Sequence, residues 1–311
     1  MRKKTETVVF FGTPKFAVPT LEALIASGRR VPLVVTQPDR RGGRGNAWIA
    51  PPVKEAALRL GLKVVQPEKI KAKEFMAGLR DARADVFAVA AFGRILHEEI
   101  IAMPAWILNV HASLLPRWRG AAPITRAILA GDEEAGVSIM KIVRELDAGE
   151  YATQARTKIA SEDTTTTLTD RLAELGAKAM LETLDAIDRD EARFAHQDES
   201  LVTYAKPIEN EEAKIDWREP VRSVHDRVRA MQDQPGAFVT DGRQRIKIHR
   251  TAPADFFGTA SPGTPRVDQG RLYVRCGDGW IEVLEAQREG KARQPVASFL
   301  QGYKIEESTR W

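Results

Sequence analysis

Asn109 and His111 stand two positions apart in the apolar segment WILNVHA, which reads as a buried strand ending in polar groups. Strand alternation places both side chains on one face. Asp147 follows in LDAGE, a turn after the apolar run GVSIMKIV. An asparagine amide can polarise a carbonyl and stabilise the charge that develops on it. An imidazole can accept a proton, and a carboxylate can orient the ring and support its charged form. Together the three suit attack by an amine on an acyl carbon. The bland alternatives are a satisfied strand-end histidine and an ordinary Asp-Ala-Gly turn. His97, His196, His225 and His249 read as structural.

Positioning such a set requires a scaffold whose strand ends converge. ETVVFFG, VPLVVTQ, LKVVQP, ADVFAVAAFG and WILNVHA are apolar runs of strand length. Helical patterns alternate with them. TPKFAVPTLEALIASG has Thr13 as a candidate N-cap, Pro14 at the first helical position, Gly28 as the stop, and Leu21, Leu24 and Ile25 on its apolar face. PPVKEAALRLG is a second helix. TTLTDRLAELGAKAMLETLDAI is a long one, with Leu168, Leu172, Leu175 and Leu181 along it, and it closes a first domain near residue 189. Unbroken apolar strands between amphipathic helices imply a doubly wound, mostly parallel α/β sheet covered on both faces. Such sheets bind ligands beyond the carboxyl ends of their strands. The first turn, FGTPKFAV, lacks the G-x-G-x-x-G pattern, which argues against a dinucleotide site.

The remaining texture sets bounds. The chain has 311 residues, 43% of them hydrophobic and 29% charged, enough for two packed domains. Its single cysteine, Cys276, allows no intramolecular disulfide and no cysteine metal cluster, and fits a reducing compartment. The basic start carries no apolar run of signal-peptide length, and no stretch approaches membrane-spanning length. A cytoplasmic enzyme is the expectation. Net charge is +4, a mild basic bias that says little alone. Residues 190–206 are polar and read as a linker. From 207 to 311 a short helix, PVRSVHDRVRAMQ, precedes short strands, GAFVT, QRIKIHR, RLYVRCG and GWIEVLEAQ, separated by turn sequences. That spacing suggests a small β-barrel or sandwich. Arg243, Arg245, Lys247 and His249 alternate along one strand and make a basic stripe, with Lys291 and Arg293 nearby.

NVHASLLPRWRGAAPI with LDAGE downstream resembles the folate-dependent formyltransferase family. FGTPKFAVPTLEAL and QPDRRGGRG narrow the likeness to members acting on initiator methionyl-tRNA. TLTDRLAELGA, LVTYAKPI, EEAKIDW, PGAF and VLEAQREGKARQPVASFLQG extend it over nearly the whole chain.

The resemblance implies a Rossmann-like catalytic domain over 1–189 and an OB-like barrel over 207–311 that holds tRNA. The formyl donor would be 10-formyltetrahydrofolate, with no metal, and no protein partner is inferred. Asn109 would hold the formyl oxygen, His111 would assist proton transfers, and Asp147 would hold His111. Ser113, Leu114, Leu115 and Pro116 match the folate-binding segment. Arg117, Trp118 and Arg119 would shape the pocket rim, and AAFGRIL would line the pterin pocket through backbone groups. Arg40, Arg41 and Arg44 would grip the acceptor stem, and Lys206, Arg245 and Lys247 the tRNA body. Two departures stand out. Asn46 and Ala47 replace the lysines often found after the loop arginine, and Asp233-Gln234-Pro235 replaces Asn-Pro-Trp-Pro.

Three rival readings share part of this pattern. A formyltransferase for amino-sugar nucleotides would use the same trio but has no need of the arginine loop. A hydrolase would release formate by turning the trio on water. A binding module for nucleic acid would have no use for the trio.

Overall fold

The computed structural model describes residues 4–42, 46–232, 234–242, 244–306 and 309–311. Strand β1 (Thr7–Gly12) leads through a 3-10 turn, Lys15–Ala17, into α1 (Val18–Ala26) and β2 (Arg30–Val35). A hairpin of β3 (Arg40–Gly42) and β4 (Ala47–Ile49) precedes α2 (Pro52–Arg59), β5 (Val64–Val65), α3 (Lys73–Asp81) and β6 (Val86–Ala90). Then come α4 (Glu98–Ile101), β7 (Trp106–His111), β8 (Arg119–Gly120), α5 (Pro123–Leu129), β9 (Glu134–Lys141), β10 (Tyr151–Lys158) and α6 (Thr165–Asp188). β11 (Tyr204–Ala205), α7 (Val221–Ala230), β12 (Phe238–Thr240), β13 (Arg245–Ala254), β14 (Pro265–Asp268), β15 (Arg271–Arg275), β16 (Trp280–Arg288), β17 (Gln294–Pro295) and α8 (Val296–Gly302) complete the chain.

The chain forms two compact units. The first holds residues 1–120, 134–157 and 169–205; the second holds 121–133, 158–168 and 206–311. The first unit is built on a seven-stranded sheet in the order β10-β9-β7-β6-β1-β2-β5. β5, β2, β1, β6 and β7 run parallel, and β9 is antiparallel to β7. The chain winds outward from β1 in both directions, so the strand order reverses there, as in doubly wound folds. Alternate strand residues build the core. Val9, Phe11, Leu33, Val35, Phe87 and Val89 share one face with Phe75, Met76 and Leu79 of α3. Val8 and Phe10, equally inaccessible, point to the other. Each such side chain contributes about 1.5–3 kcal/mol by leaving water. On β7, a Cβ at Gly176 of α6 would stand 2.5 Å from Val110, so only glycine lets that helix lie so close.

The helix after β1 begins later than its sequence suggests. Pro14 precedes a 3-10 turn, and α1 starts at Val18 with Pro19 in its first turn. Thr13 caps nothing. Its hydroxyl donates to the Phe92 carbonyl at 3.0 Å, because it sits at the end of β1 beside the end of β6. Residues 190–205, expected as a linker, pack within the first unit. Tyr151 and Ala195 exchange backbone hydrogen bonds of 3.1 and 2.9 Å, and β11 pairs parallel with β8.

The second unit carries an antiparallel sheet, β12-β13-β16-β15-β14, with β17 on β16. It curls into a half-barrel. Its core gathers Ile246 and Ile248 of β13, Leu272 and Val274 of β15, Ile281 and Val283 of β16, Val224 and Val228 of α7, and Phe299 of α8. No helix of the described residues is long and apolar enough to cross a membrane.

Candidate active site

Asn109 and His111 end β7 at the carboxyl edge of the parallel strands. Asn109 lies between Val89 and Met140, and His111 lies opposite Ser138 of β9. The Asn109 side chain is half-buried, and its amide makes no hydrogen bond within the described residues. His111 is buried, its side chain 6% exposed. Its Nε2 lies 2.9 Å from the Trp118 carbonyl. A carbonyl only accepts, so Nε2 carries the proton. Nδ1 faces Asp147, 3.6 Å from Oδ2. That separation is too long for a hydrogen bond. In the neutral ring the Nδ1 lone pair confronts the carboxylate, and the two stand apart. The backbone of Trp118, rather than Asp147, therefore fixes the tautomer, which differs from the role expected of the aspartate.

Asp147 occupies a turn whose geometry is dictated at several points. It adopts φ of 49°, a left-handed conformation unusual for a residue with a Cβ. Its Oδ2 accepts the Gly120 N–H at 2.9 Å. At Gly149, a Cβ would stand 1.9 Å from the Lys141 carbonyl, so the turn closes onto β9 only with glycine there.

The segment Ser113–Pro116 is shaped from inside. The Ser113 hydroxyl donates to the Arg117 carbonyl at 2.6 Å. Ser138, fully buried, donates to the Ser113 carbonyl at 2.7 Å and accepts the Leu115 N–H at 3.1 Å. Gln154 donates to the Leu115 carbonyl and to Ser138, both at 2.9 Å. Leu114 lies over Gly136, where a Cβ would approach it to 2.4 Å. The Ser113 hydroxyl and the Leu115 backbone are thus spent on holding the loop, and the Leu115 side chain is buried. Leu114 and Pro116 are half-buried. Sequence reasoning missed Ser138 and Gln154. Two polar side chains aimed inward from the edge strand and its neighbour were the available signal.

The comparisons with known proteins bear on this edge. Residues 6–184 match the model described as "Formyl transferase", and 207–304 match "Formyl transferase, C-terminal domain". The chain belongs to the formyl transferase family. It is 44% identical over 306 residues to "Methionyl-tRNA formyltransferase" of Acidobacterium capsulatum, covering 97% of this chain and 98% of that one. It is 46% identical to the protein of the same name from Paracoccus denitrificans, over 95% of this chain and 97% of the other. Among solved structures it resembles WlaRD, a sugar 3N-formyl transferase crystallised in the presence of dTDP and 5-N-formyl-THF. The TM-score is 0.68 at 18% identity, over 93% of this chain and 99% of that one. It also resembles HypX from Aquifex aeolicus in complex with tetrahydrofolic acid, with TM-score 0.65 at 16% identity. The match covers 94% of this chain and 46% of HypX. At such identities the likeness establishes the fold.

The basic residues of this formyltransferase are scattered. Arg40 and Arg41 lie exposed on β3. Arg40 donates to the Gln37 side chain, and Arg41 covers the Trp48 ring at 5.3 Å. Arg44 and Arg243 lie outside the described residues. Lys206 is exposed, and its carbonyl accepts from Arg126. Arg245 is exposed and stacks on Phe238 at 3.8 Å. Lys247 is half-buried and donates to the Pro235 carbonyl at 2.9 Å. His249 is buried between the Gln232 carbonyl and Gln287. The described members of the stripe therefore share a face without sharing solvent, because Gln232 and Pro235 cover His249 and Lys247 but not Arg245. Arg119, expected at the pocket rim, is buried and bound to Gln197 and Glu199.

Proposed function

We propose that this formyltransferase moves a formyl group from 10-formyltetrahydrofolate to the amino group of methionine on initiator methionyl-tRNA, using Asn109, His111 and Asp147. The observation that carries the proposal is the half-buried, unpartnered amide of Asn109 two positions before a clamped histidine. An amide at a closed strand edge with free donors suits a carbonyl oxygen that gains charge as the amine attacks. The bound donor supplies the formyl carbon. The residues supply the rest. Nε2–H of His111 is committed to the Trp118 carbonyl, so the lone pair of the neutral ring is on Nδ1. The methionyl nitrogen attacks as the neutral amine. As it bonds the formyl carbon it sheds one N–H proton to Nδ1, giving an imidazolium whose charge the Asp147 carboxylate offsets, and the bond from the formyl carbon to the donor nitrogen breaks. The proton then passes on to the departing donor nitrogen. The wall of Ser113, Leu114, Leu115 and Pro116 borders the donor.

The acceptor follows from the near full-length relatives that carry the methionyl-tRNA name. Arg40 and Arg41 on the hairpin, together with Arg44, Lys206, Arg245 and Lys247, supply positive charge for phosphates. Of these, Arg40, Arg41, Lys206 and Arg245 are exposed, whereas Lys247 contributes less because its ammonium is engaged. The domains divide as 1–189 for catalysis, with 190–206 leading to a tRNA-holding domain over 207–311. An acceptor of this kind places the enzyme in the cytoplasm. The test is incubation with 10-formyltetrahydrofolate and charged initiator tRNA, with formylmethionine as the product sought. Release of formate at a rate indifferent to the charged tRNA would refute it in favour of a hydrolase.

A further inference from the structure

The chain between Ala195 and Ala205 lies along the outside of the site's edge and touches both groups that flank His111. Thr203 holds one flank. Its Oγ1 accepts the Trp118 N–H and its carbonyl accepts the Arg119 N–H, both at 2.9 Å. Trp118 is the residue whose carbonyl receives His111 Nε2. Gln197 holds the other. Its amide nitrogen donates to the carbonyls of Asp147 and Gly149, each at 2.8 Å, and its oxygen accepts from Arg119 Nε at 2.9 Å. An arginine only donates and a carbonyl only accepts, so the amide can stand only one way round. Arg119 is fastened in turn to Glu199 at 2.7 Å.

We infer that Gln197 is a positioning residue for formyl transfer, acting through the backbone of Asp147. The inference rests on the role proposed above for Asp147. That residue is held at a positive φ without being glycine, a conformation that costs free energy and persists only where the surroundings impose it. Gln197 imposes it by gripping the turn on both sides, at Asp147 and at Gly149. Buried at 8% exposure, the amide has every polar atom engaged, so it cannot swing away without leaving unpaired groups behind. Released from them, the turn relaxes toward ordinary φ, and the carboxylate leaves its place opposite Nδ1.

The test is steady-state kinetics of formyl transfer for Gln197→Met and Gln197→Glu, each alone and combined with Asp147→Asn. Methionine keeps the length and removes all three bonds. Glutamate keeps the shape and still accepts from Arg119, but sets an oxygen against two carbonyl oxygens. Each is expected to lower kcat by about ten-fold while both KM values stay within about two-fold, because the supporting contact acts on the chemical geometry and not on binding. In the Asp147→Asn background the same changes are expected to add less than about two-fold, since a positioning residue has nothing left to position. Losses that multiply, a rise in KM with kcat intact, or a folded Gln197→Glu with unchanged kcat would each overturn the inference. If Gln197→Met fails to fold, Gln197→Glu decides. Asp147→Asn alone separates the two levels. Full activity there removes Asp147 from the mechanism and Gln197 with it, whereas loss there with active Gln197 variants removes only Gln197.

Discussion

Replacing Ser138 by alanine removes one oxygen and strands three groups. The Leu115 N–H loses its acceptor, the Ser113 carbonyl loses its donor, and Gln154 loses one of its two partners. Gln154 keeps its bond to the Leu115 carbonyl, so the backbone pair bears most of the effect. A buried polar group left unpaired costs about 1–3 kcal/mol. With Ser138 fully buried, bulk water does not reach the stranded groups. Some relaxation of Ser113–Pro116 recovers part of the loss, and Ser138→Ala is expected to destabilise the first unit by about 2–4 kcal/mol. Because Ser138 lies opposite His111 and ties the loop to the sheet at that register, the loss also reaches Ser113–Pro116, the segment proposed to border the donor. The KM for 10-formyltetrahydrofolate is expected to rise about ten-fold, equivalent to about 1.4 kcal/mol. The KM for methionyl-tRNA should stay near its starting value. Urea unfolding measures the first quantity, and kinetics with each substrate varied in turn measure the second. A variant within about 0.5 kcal/mol of the parent and with an unchanged donor KM would refute the idea that Ser138 builds this wall.

Other outcomes follow from single features. Asn109→Ala is expected to cut turnover by roughly 10²-fold or more while donor binding, read by fluorescence or calorimetry, survives; near-normal turnover in a folded variant removes Asn109 from the chemistry. Arg245→Ala is expected to flatten the dependence of tRNA affinity on salt by about one unit of log–log slope, while Lys247→Ala changes it little; equal effects would contradict the difference in exposure. Cys276, inaccessible and pushed by burial up to about 12, holds its proton through the ordinary alkaline range. It should therefore resist thiol reagents at pH 8 and react fully in denaturant; rapid labelling of the native protein would count against its burial.

The sequence revealed those parts of the protein whose partners are generic. Val8 to Phe11 and Val86 to Ala90 are apolar without interruption because any covering helix will satisfy them. Asn109 and His111 were legible because strand alternation sets them on one face of β7, whereas Asp147 reaches His111 only through the loop after β9, which runs antiparallel to β7. β10 was not, since YATQARTK is an edge strand, partly solvated along its length, and lacks an apolar run. α3 was missed because only Phe75, Met76 and Leu79 of its nine residues are buried. The bracing of the site was hidden for a different reason. Gln197 finds Asp147 across 50 positions, Arg119 finds Gln197 across 78, and Trp118 finds Thr203 across 85. Lone polar residues in a polar stretch read as linker until the fold brings their partners to them. The choice of tautomer at His111 left no trace at all, because it depends on a backbone carbonyl that every residue type possesses.

The brace also imposes an order of events during synthesis. When the first 189 residues have emerged from the ribosome, Asn109, His111 and Asp147 exist, and most of the strands that carry them can pair. Gln197, Thr203 and β11 do not yet exist. At that moment Arg119 has neither of its side-chain partners, the Trp118 amide has no acceptor in Thr203, and the Asp147 turn is free to choose its conformation. Translation through residue 205 takes on the order of seconds. The nascent sheet thus forms ahead of the bracing around His111, and that edge is closed only when the stretch that looked like a connector arrives.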